Sequence, residues 1–243
     1  LDFYRRYYVA RNATLALVGA IDPGRAAALA ERIDAVLAAG RRAAPPSPVA
    51  PLDEARTIRL PFPSQQAHIY IGQPGMRRGD SDYFALYLGN HVLGGSGFTS
   101  RLVKAIRVER GFAYSVYSYF SPMAMRGPYL IGLQTKVAQA DEAVAVAKQL
   151  LAEFVAEGAS EAELAASRAN IVGGFPLRIA GNGSLVQQAA MIGFYDLPLD
   201  YLKDYPQHIQ AQTGKQVEQA FQRRIDPQRL VTVIVGGPAK DAE

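Results

Sequence analysis

The sequence predicts an α+β fold, a two-layer sandwich in which helices cover one face of a mainly antiparallel sheet. Strand patterns cluster in the middle of the 243-residue chain, and helical patterns dominate its second half. Hydrophobic residues make up 49% of the chain and charged residues 20%, which allows a core of ordinary size. No apolar run is long enough to predict a transmembrane segment.

The first 52 residues predict a short N-terminal segment and a linker. Residues 14–19 form an apolar run that ends at a glycine, which predicts a buried strand. Asp22 and Pro23 are typical of a helix start, and apolar residues at helical spacing follow. Residues 44–52 hold four prolines and predict a linker.

The middle of the chain alternates strands with helices. The predicted strands lie at residues 57–60, 67–72, 112–120 and 128–136. The last two are expected to pair as an antiparallel hairpin through a turn at residues 121–127. Helical patterns at residues 80–93 and from Thr99 or Ser100 to about residue 110 flank a glycine-rich loop.

The second half predicts four helices and a final strand. One helix begins with a capping box made by Ser160 and Glu163. The other helical patterns cover residues 142–156, 184–195 and 215–224, and the strand covers residues 230–235.

Composition and motifs exclude several functions. The net charge is +4, but the arginines occur as separated pairs, so we expect no nucleic-acid partner. The chain has no cysteine, and each of its three histidines, His68, His91 and His208, stands alone. A zinc site on a helix needs ligands one turn apart, so we expect no metal site in this chain. Serine-hydrolase, Walker A and dinucleotide motifs are incomplete or lack the flanking elements that they require.

Residues 93–118 carry the distinctive pattern of a glycine loop, a short basic helix and an aromatic strand. Arg107 lies near the end of that helix and Tyr114 near the start of the strand. A helix-to-strand turn could bring this guanidinium and this phenol onto one surface, where both could donate hydrogen bonds to a peptide carbonyl or an oxyanion. The alternative is structural: Arg107 caps backbone carbonyls, and Tyr114 packs half-buried.

The same stretch resembles the C-terminal, inactive domain of the M16 peptidases, the family of pitrilysin, insulinase and the mitochondrial processing peptidase. The resemblance rests on GGSGFTSRL, Arg107 and GFAYSVYS at fixed spacing, with Gln73-Pro74-Gly75 before them and a GGFPL segment at residues 173–177. It covers residues 53–237. Residues 1–43 resemble the last strand and helix of a preceding M16 domain. The expected organisation is therefore a tail (1–43), a linker (44–52) and an M16 C-terminal domain (53–243).

The resemblance implies a LuxS/MPP-like metallohydrolase fold and a divided active site. In the family, one half carries zinc on an H-x-x-E-H motif, and the facing half supplies an arginine and a tyrosine seven residues apart. Arg107 and Tyr114 have that spacing and would be the catalytic pair. The loop of Gly94, Gly95, Ser96, Gly97 and Phe98 would bind substrate. This chain would not be catalytic alone, and its zinc would lie on a partner domain or subunit.

Several further expectations accompany this reading. Some M16 relatives only scaffold respiratory complexes, so a structural module with no role in cleavage is the alternative function. An unpaired strand and helix in residues 1–43 would favour a homodimer of the isolated chain. The chain begins at Leu1, so we expect a processed form or a piece of a longer protein. The resemblance favours the bacterial periplasm, with the cytoplasm as the alternative.

Overall fold

The structure, a computed structural model, describes residues 1–237. Its strands are β1 (Arg56–Pro74), β2 (Ala113–Phe120), β3 (Pro128–Lys136) and β4 (Val231–Gly237). Its α-helices are α1 (Asp2–Tyr7), α2 (Pro23–Asp34), α3 (Tyr83–Asn90), α4 (Ala140–Glu157), α5 (Glu161–Arg178), α6 (Asn182–Phe194), α7 (Tyr201–Gln210) and α8 (Gly214–Arg224). The helices and strands predicted beyond residue 56 are all present.

The four strands form one sheet in the order β2-β3-β1-β4. Strand β3 pairs antiparallel with both β1 and β2, which confirms the predicted hairpin. The long strand β1 pairs with β4 twice: Arg56–Leu60 runs parallel to β4, and His68–Gly72 pairs with it in the opposite direction. The two strands predicted at 57–60 and 67–72 are thus two arms of one strand that bends around Gly237.

One face of the sheet is buried under helices, and the other is open. Helix α4 packs against β1 and β3, and α3 packs against β2. Aromatic rings join this layer, since Phe221 of α8 contacts Phe154 of α4 with ring centroids 4.8 Å apart. On the opposite face Tyr70, Tyr117 and Tyr119 are exposed. This alternation confirms the predicted α+β fold with helices on one face of the sheet.

The predicted strand at residues 14–19 is wrong. These residues take no regular structure, and Leu15 is 47% exposed. No strand among residues 1–237 pairs with them, so their backbone groups lack the ladder that a strand requires. The helix that follows is confirmed, because the Asp22 side chain accepts a hydrogen bond from the backbone N–H of Arg25 at the start of α2.

The chain divides into two compact units. The first contains Leu1–Ser47 and Val172–Pro206; the second contains Pro48–Ile171 and, within the described range, residues 207–237. The sheet and the glycine-rich loop belong to the second unit. The division into a tail, a linker and one M16 domain stays a prediction.

Candidate functional site

Arg107 is carried by a widened helix that turns abruptly into a strand. Residues Val103–Glu109 are π-helical, a conformation that is rare and often found at functional sites. The helix ends where the backbone N–H of Gly111 bonds to the carbonyl of Arg107 (3.2 Å). Gly111 has φ +63°, which favours glycine and lets the chain reverse into β2. This turn brings the end of the helix next to the start of the strand.

Tyr114 is the extra residue of a β-bulge. On the paired strand, Thr135 lies opposite Ala113 and Gln134 lies opposite Ser115, so Tyr114 has no partner. A bulge bends its strand and re-aims a side chain. The Tyr114 side chain consequently leaves the sheet's alternation and is 84% exposed.

Arg107, Tyr114 and Phe98 form one exposed cluster, which we call the Arg107 stack. The guanidinium carbon of Arg107 lies 4.5 Å from the ring centroid of Phe98 and 4.6 Å from that of Tyr114. A guanidinium held against aromatic faces gains cation–π attraction and keeps its in-plane N–H groups free to bind an acceptor. Within residues 1–237 the Arg107 guanidinium donates no hydrogen bond and forms no ion pair, so it does not cap a backbone carbonyl there.

The glycine-rich loop has a buried start and an exposed tip. Gly94 is buried against β2, where a Cβ would lie 2.3 Å from the Ser118 Oγ and 2.7 Å from its backbone N. The same Ser118 exchanges two hydrogen bonds with Asn90, at 2.9 and 2.7 Å. Gly94 therefore positions the loop through close packing.

The tip of the loop carries Phe98 to the Arg107 stack. Gly97 has φ +64°, and Gly95, Gly97 and Phe98 are exposed. The Thr99 hydroxyl donates a hydrogen bond to the Ser96 hydroxyl (2.9 Å) and closes the turn. The family resemblance implied a role for Phe98 in substrate binding, but the contact of its ring with Arg107 was not predicted.

The three histidines lie apart from one another. His91 is 8% exposed, and its two ring nitrogens contact the Ser167 hydroxyl (3.0 Å) and the Asn170 side-chain oxygen (3.1 Å). His208 stacks on Phe84, and His68 is exposed on a strand. Within residues 1–237 no three His, Cys, Asp or Glu side chains come together to hold a metal ion. The described part of the chain does not fit the zinc site of a metallopeptidase.

No helix within the described range is both long and apolar enough to cross a bilayer.

Comparison with known proteins shows the family of the chain. Residues 1–171 match the sequence profile of the peptidase M16 inactive domain. An uncharacterized zinc protease of Streptomyces coelicolor is 27% identical over 195 residues, which are 76% of this chain and 42% of that protein. The non-peptidase homolog YmxG of Helicobacter pylori is 31% identical over 182 residues, 73% of this chain and 41% of that protein.

A solved structure resembles the whole chain. The peptidase M16 inactive domain from Pseudomonas fluorescens superposes with a TM-score of 0.91 at 34% identity, covering 100% of this chain and 57% of that one. The chain thus spans about two fifths of the length of these curated relatives and somewhat more than half of this solved neighbour.

Proposed function

Because the chain belongs to the M16 peptidase family and matches its inactive domain, we propose that it is the substrate-holding half of an M16 zinc peptidase. In this proposal Arg107 and Tyr114 act on a peptide whose zinc is held by a separate domain or subunit with an H-x-x-E-H motif. The exposed tip of the glycine-rich loop contacts the same peptide.

The observation that supports this proposal is the exposed Arg107 stack. A π-helix and a β-bulge, two departures from regular structure, place one guanidinium beside one phenol on the surface. The planar guanidinium can donate two parallel hydrogen bonds, and the phenol can donate one. Such donors stabilise the negative charge that develops on a peptide carbonyl during attack. A role in packing alone would not need Tyr114 to be 84% exposed.

Dividing the site between two halves has a mechanistic consequence. Hydrolysis needs an activated water as well as oxyanion donors. In this proposal Arg107 and Tyr114 supply donors, and the zinc that activates the water belongs to the other half. The site is therefore complete only when the two halves face each other around the peptide. That closure also excludes bulk water.

The test is reconstitution with a zinc-bearing M16 subunit and a fluorogenic peptide. The chain alone should show no cleavage, and the mixture should cleave. Arg107→Ala should lower kcat/KM by about 10²–10³-fold, the usual effect of removing one oxyanion donor, and Tyr114→Phe should lower it in the same direction. Assembly, measured by size-exclusion chromatography, should not change.

Arg110→Ala is the matched control. Arg110 follows the same helix, but its guanidinium bonds to the carbonyl of Ala105 and to Glu109. This variant should cleave at the wild-type rate. If Arg107→Ala and Tyr114→Phe also assembled and cleaved at full rate, their assigned roles would be wrong.

A scaffolding module with no role in cleavage is the second candidate. The observation in its favour is that one relative carries the name of a non-peptidase homolog. This function predicts partner binding that is indifferent to Arg107 and Tyr114, and the same reconstitution distinguishes it. The homodimer and the periplasmic location stay predictions.

A further inference from the structure

A second candidate site lies at the other end of the sheet, in a cavity that we call the Arg126 cavity. It has a volume of about 490 Å³, which is within the range of small-ligand pockets. It opens where β1 ends at Pro74 and where α8 leads into β4. Its polar lining consists mainly of Gln73, Arg126, Arg223, Arg224, Asp226 and Arg229. None of these residues belongs to the Arg107 stack.

Backbone hydrogen bonds hold Arg126 in place on the cavity wall. The neighbouring Gly127 accepts a bond from the N–H of Gly75 (2.7 Å) and donates one to the carbonyl of Met76 (3.0 Å). A Cβ on Gly127 would lie 1.8 Å from the carbonyl oxygen of Ser121, so the position requires glycine. The turn that carries Arg126 is therefore fixed to the end of β1.

The segment Gln73-Pro74-Gly75, which the peptidase site does not use, connects two walls of this cavity. Gly75 binds the Arg126 turn, and the Gln73 side-chain oxygen accepts a bond from the backbone N–H of Asp226 (3.3 Å) on the opposite wall. The cavity is thus held by specific hydrogen bonds.

One positive charge in the cavity is uncompensated. The Arg224 guanidinium bonds to Asp80 and Asp82, and Arg223 also bonds to Asp82. Arg229 pairs with Asp226 at 3.3 Å. No carboxylate within residues 1–237 pairs with Arg126. A single free guanidinium suits one carboxylate, which it can bind with two parallel hydrogen bonds.

The cavity continues into an apolar groove of about 360 Å³ on the open face of the sheet. Leu52, Gln73, Pro74 and Arg126 line both spaces. The groove adds Tyr70, Leu130, Val231 and Val233. A ligand that fills both must carry a carboxylate directly beside an apolar group.

The sheet joins this groove to the Arg107 stack. Within strand β2 the chain extends from Tyr114 to Phe120, and Phe120 pairs with Tyr129, which lines the groove. At about 3.3 Å per residue this run is about 20 Å long, the length of roughly six residues of extended peptide. Tyr117 and Tyr119 lie exposed along it.

We propose that the Arg126 cavity binds the C-terminal carboxylate of a peptide whose last side chain is apolar and fills the adjoining groove. The choice of a peptide, rather than another carboxylate, rests on the proposed function and on the 20 Å run to the Arg107 stack. The site sets the register of the peptide by holding its end.

The test measures fluorescence anisotropy of the wild-type chain with an eight-residue peptide that is labelled at its N-terminus and ends in phenylalanine. The free acid should bind about tenfold more tightly than the same peptide with a C-terminal amide. Arg126→Gln should weaken binding of the acid about tenfold and leave the amide unchanged. Arg77→Gln, which changes an exposed arginine outside the cavity, should alter neither.

Equal affinity for acid and amide would overturn the proposal, as would an unchanged acid affinity in an Arg126→Gln variant with a wild-type circular dichroism spectrum. Decanoate should displace the peptide only weakly; displacement at an affinity equal to that of the peptide would overturn the assignment to a peptide end.

Arg107→Ala separates the two proposals, because it should not change the preference for the acid. Loss of cleavage without an acid preference refutes the Arg126 site alone, and an acid preference without Arg107-dependent cleavage refutes the peptidase role alone.

Discussion

A methyl group added at Gly94 would test how the glycine-rich loop is positioned. In Gly94→Ala the new Cβ would lie 2.3 Å from the Ser118 Oγ, 2.7 Å from its backbone N and 2.8 Å from a Leu102 methyl. Ordinary carbon contacts are about 3.5–4.0 Å, so the loop and the strand must separate. Overpacking of this kind costs about 1–3 kcal/mol. If Ser118 also loses its buried bond to Asn90, about 1 kcal/mol more is lost, giving a total of about 3 kcal/mol.

Thermal unfolding followed by circular dichroism measures this cost. About 3 kcal/mol corresponds to a Tm lowered by roughly 6–12 °C in a chain of this size. Gly97→Ala is the matched control, because nothing lies within 4 Å of its Cβ and only its φ of +64° is strained. That strain costs about 1 kcal/mol. A Gly94→Ala Tm that equals wild type, or that exceeds the Tm of Gly97→Ala, would refute the packing argument.

Three further substitutions test other parts of the chain. The hydrogen bonds from Arg101 lower the pKa of Glu163 to about 2, so Glu163→Gln, which preserves the capping box, should lower the unfolding free energy by about 1 kcal/mol at pH 7. In urea titrations this difference from wild type should persist down to about pH 5 and vanish near pH 2. A difference that does not depend on pH would count against the ion pair. Gly173→Ala, at an exposed helical position with open space, should raise the unfolding free energy by about 0.5–1 kcal/mol in the same titrations, and a loss would contradict the open geometry. Asn90→Ala should lower the unfolding free energy by about 2 kcal/mol, because the buried Ser118 hydroxyl and carbonyl lose their hydrogen-bond partner. An unchanged unfolding free energy would show that another group replaces that partner.

Local patterns predicted most of the fold because the elements beyond residue 56 contain their own start and stop signals. The Ser160 hydroxyl accepts from the backbone N–H of Glu163 (3.3 Å), and the Glu163 carboxylate accepts from that of Ser160 (2.9 Å), as the capping box predicted. Residues 14–19 have an equally good strand pattern but no partner strand within the described range. Apolar periodicity describes what a segment can bury, whereas a strand also depends on pairing that is not local.

The sequence indicated that Arg107 and Tyr114 could meet, but it predicted neither the contact of Phe98 with Arg107 nor the backbone geometry that brings the three together. A turn between Arg107 and Tyr114 was one of two readings of this stretch, and in the structure the guanidinium carbon lies 4.6 Å from the ring centroid. The π-helix and the β-bulge that achieve this contact have no composition signal of their own. The π-helix depends on hydrogen bonds that span one residue more than those of an α-helix, and the bulge depends on the register between β2 and β3; neither is set by residue type alone.

Arg126 shows a different limit of sequence reasoning. It is an isolated arginine in a turn, and nothing in its neighbours distinguishes it from any solvated surface charge. Its significance comes from pairing elsewhere: Asp80, Asp82 and Asp226 neutralise the arginines around the cavity and leave this one free. Gln73-Pro74-Gly75 was recognisable as a motif, yet its contacts with the Arg126 turn and with Asp226 exist only after β1 and β4 have paired. A charge that remains after all neighbouring pairs are made is a property of the folded chain, and it is the reason for placing a ligand's carboxylate there.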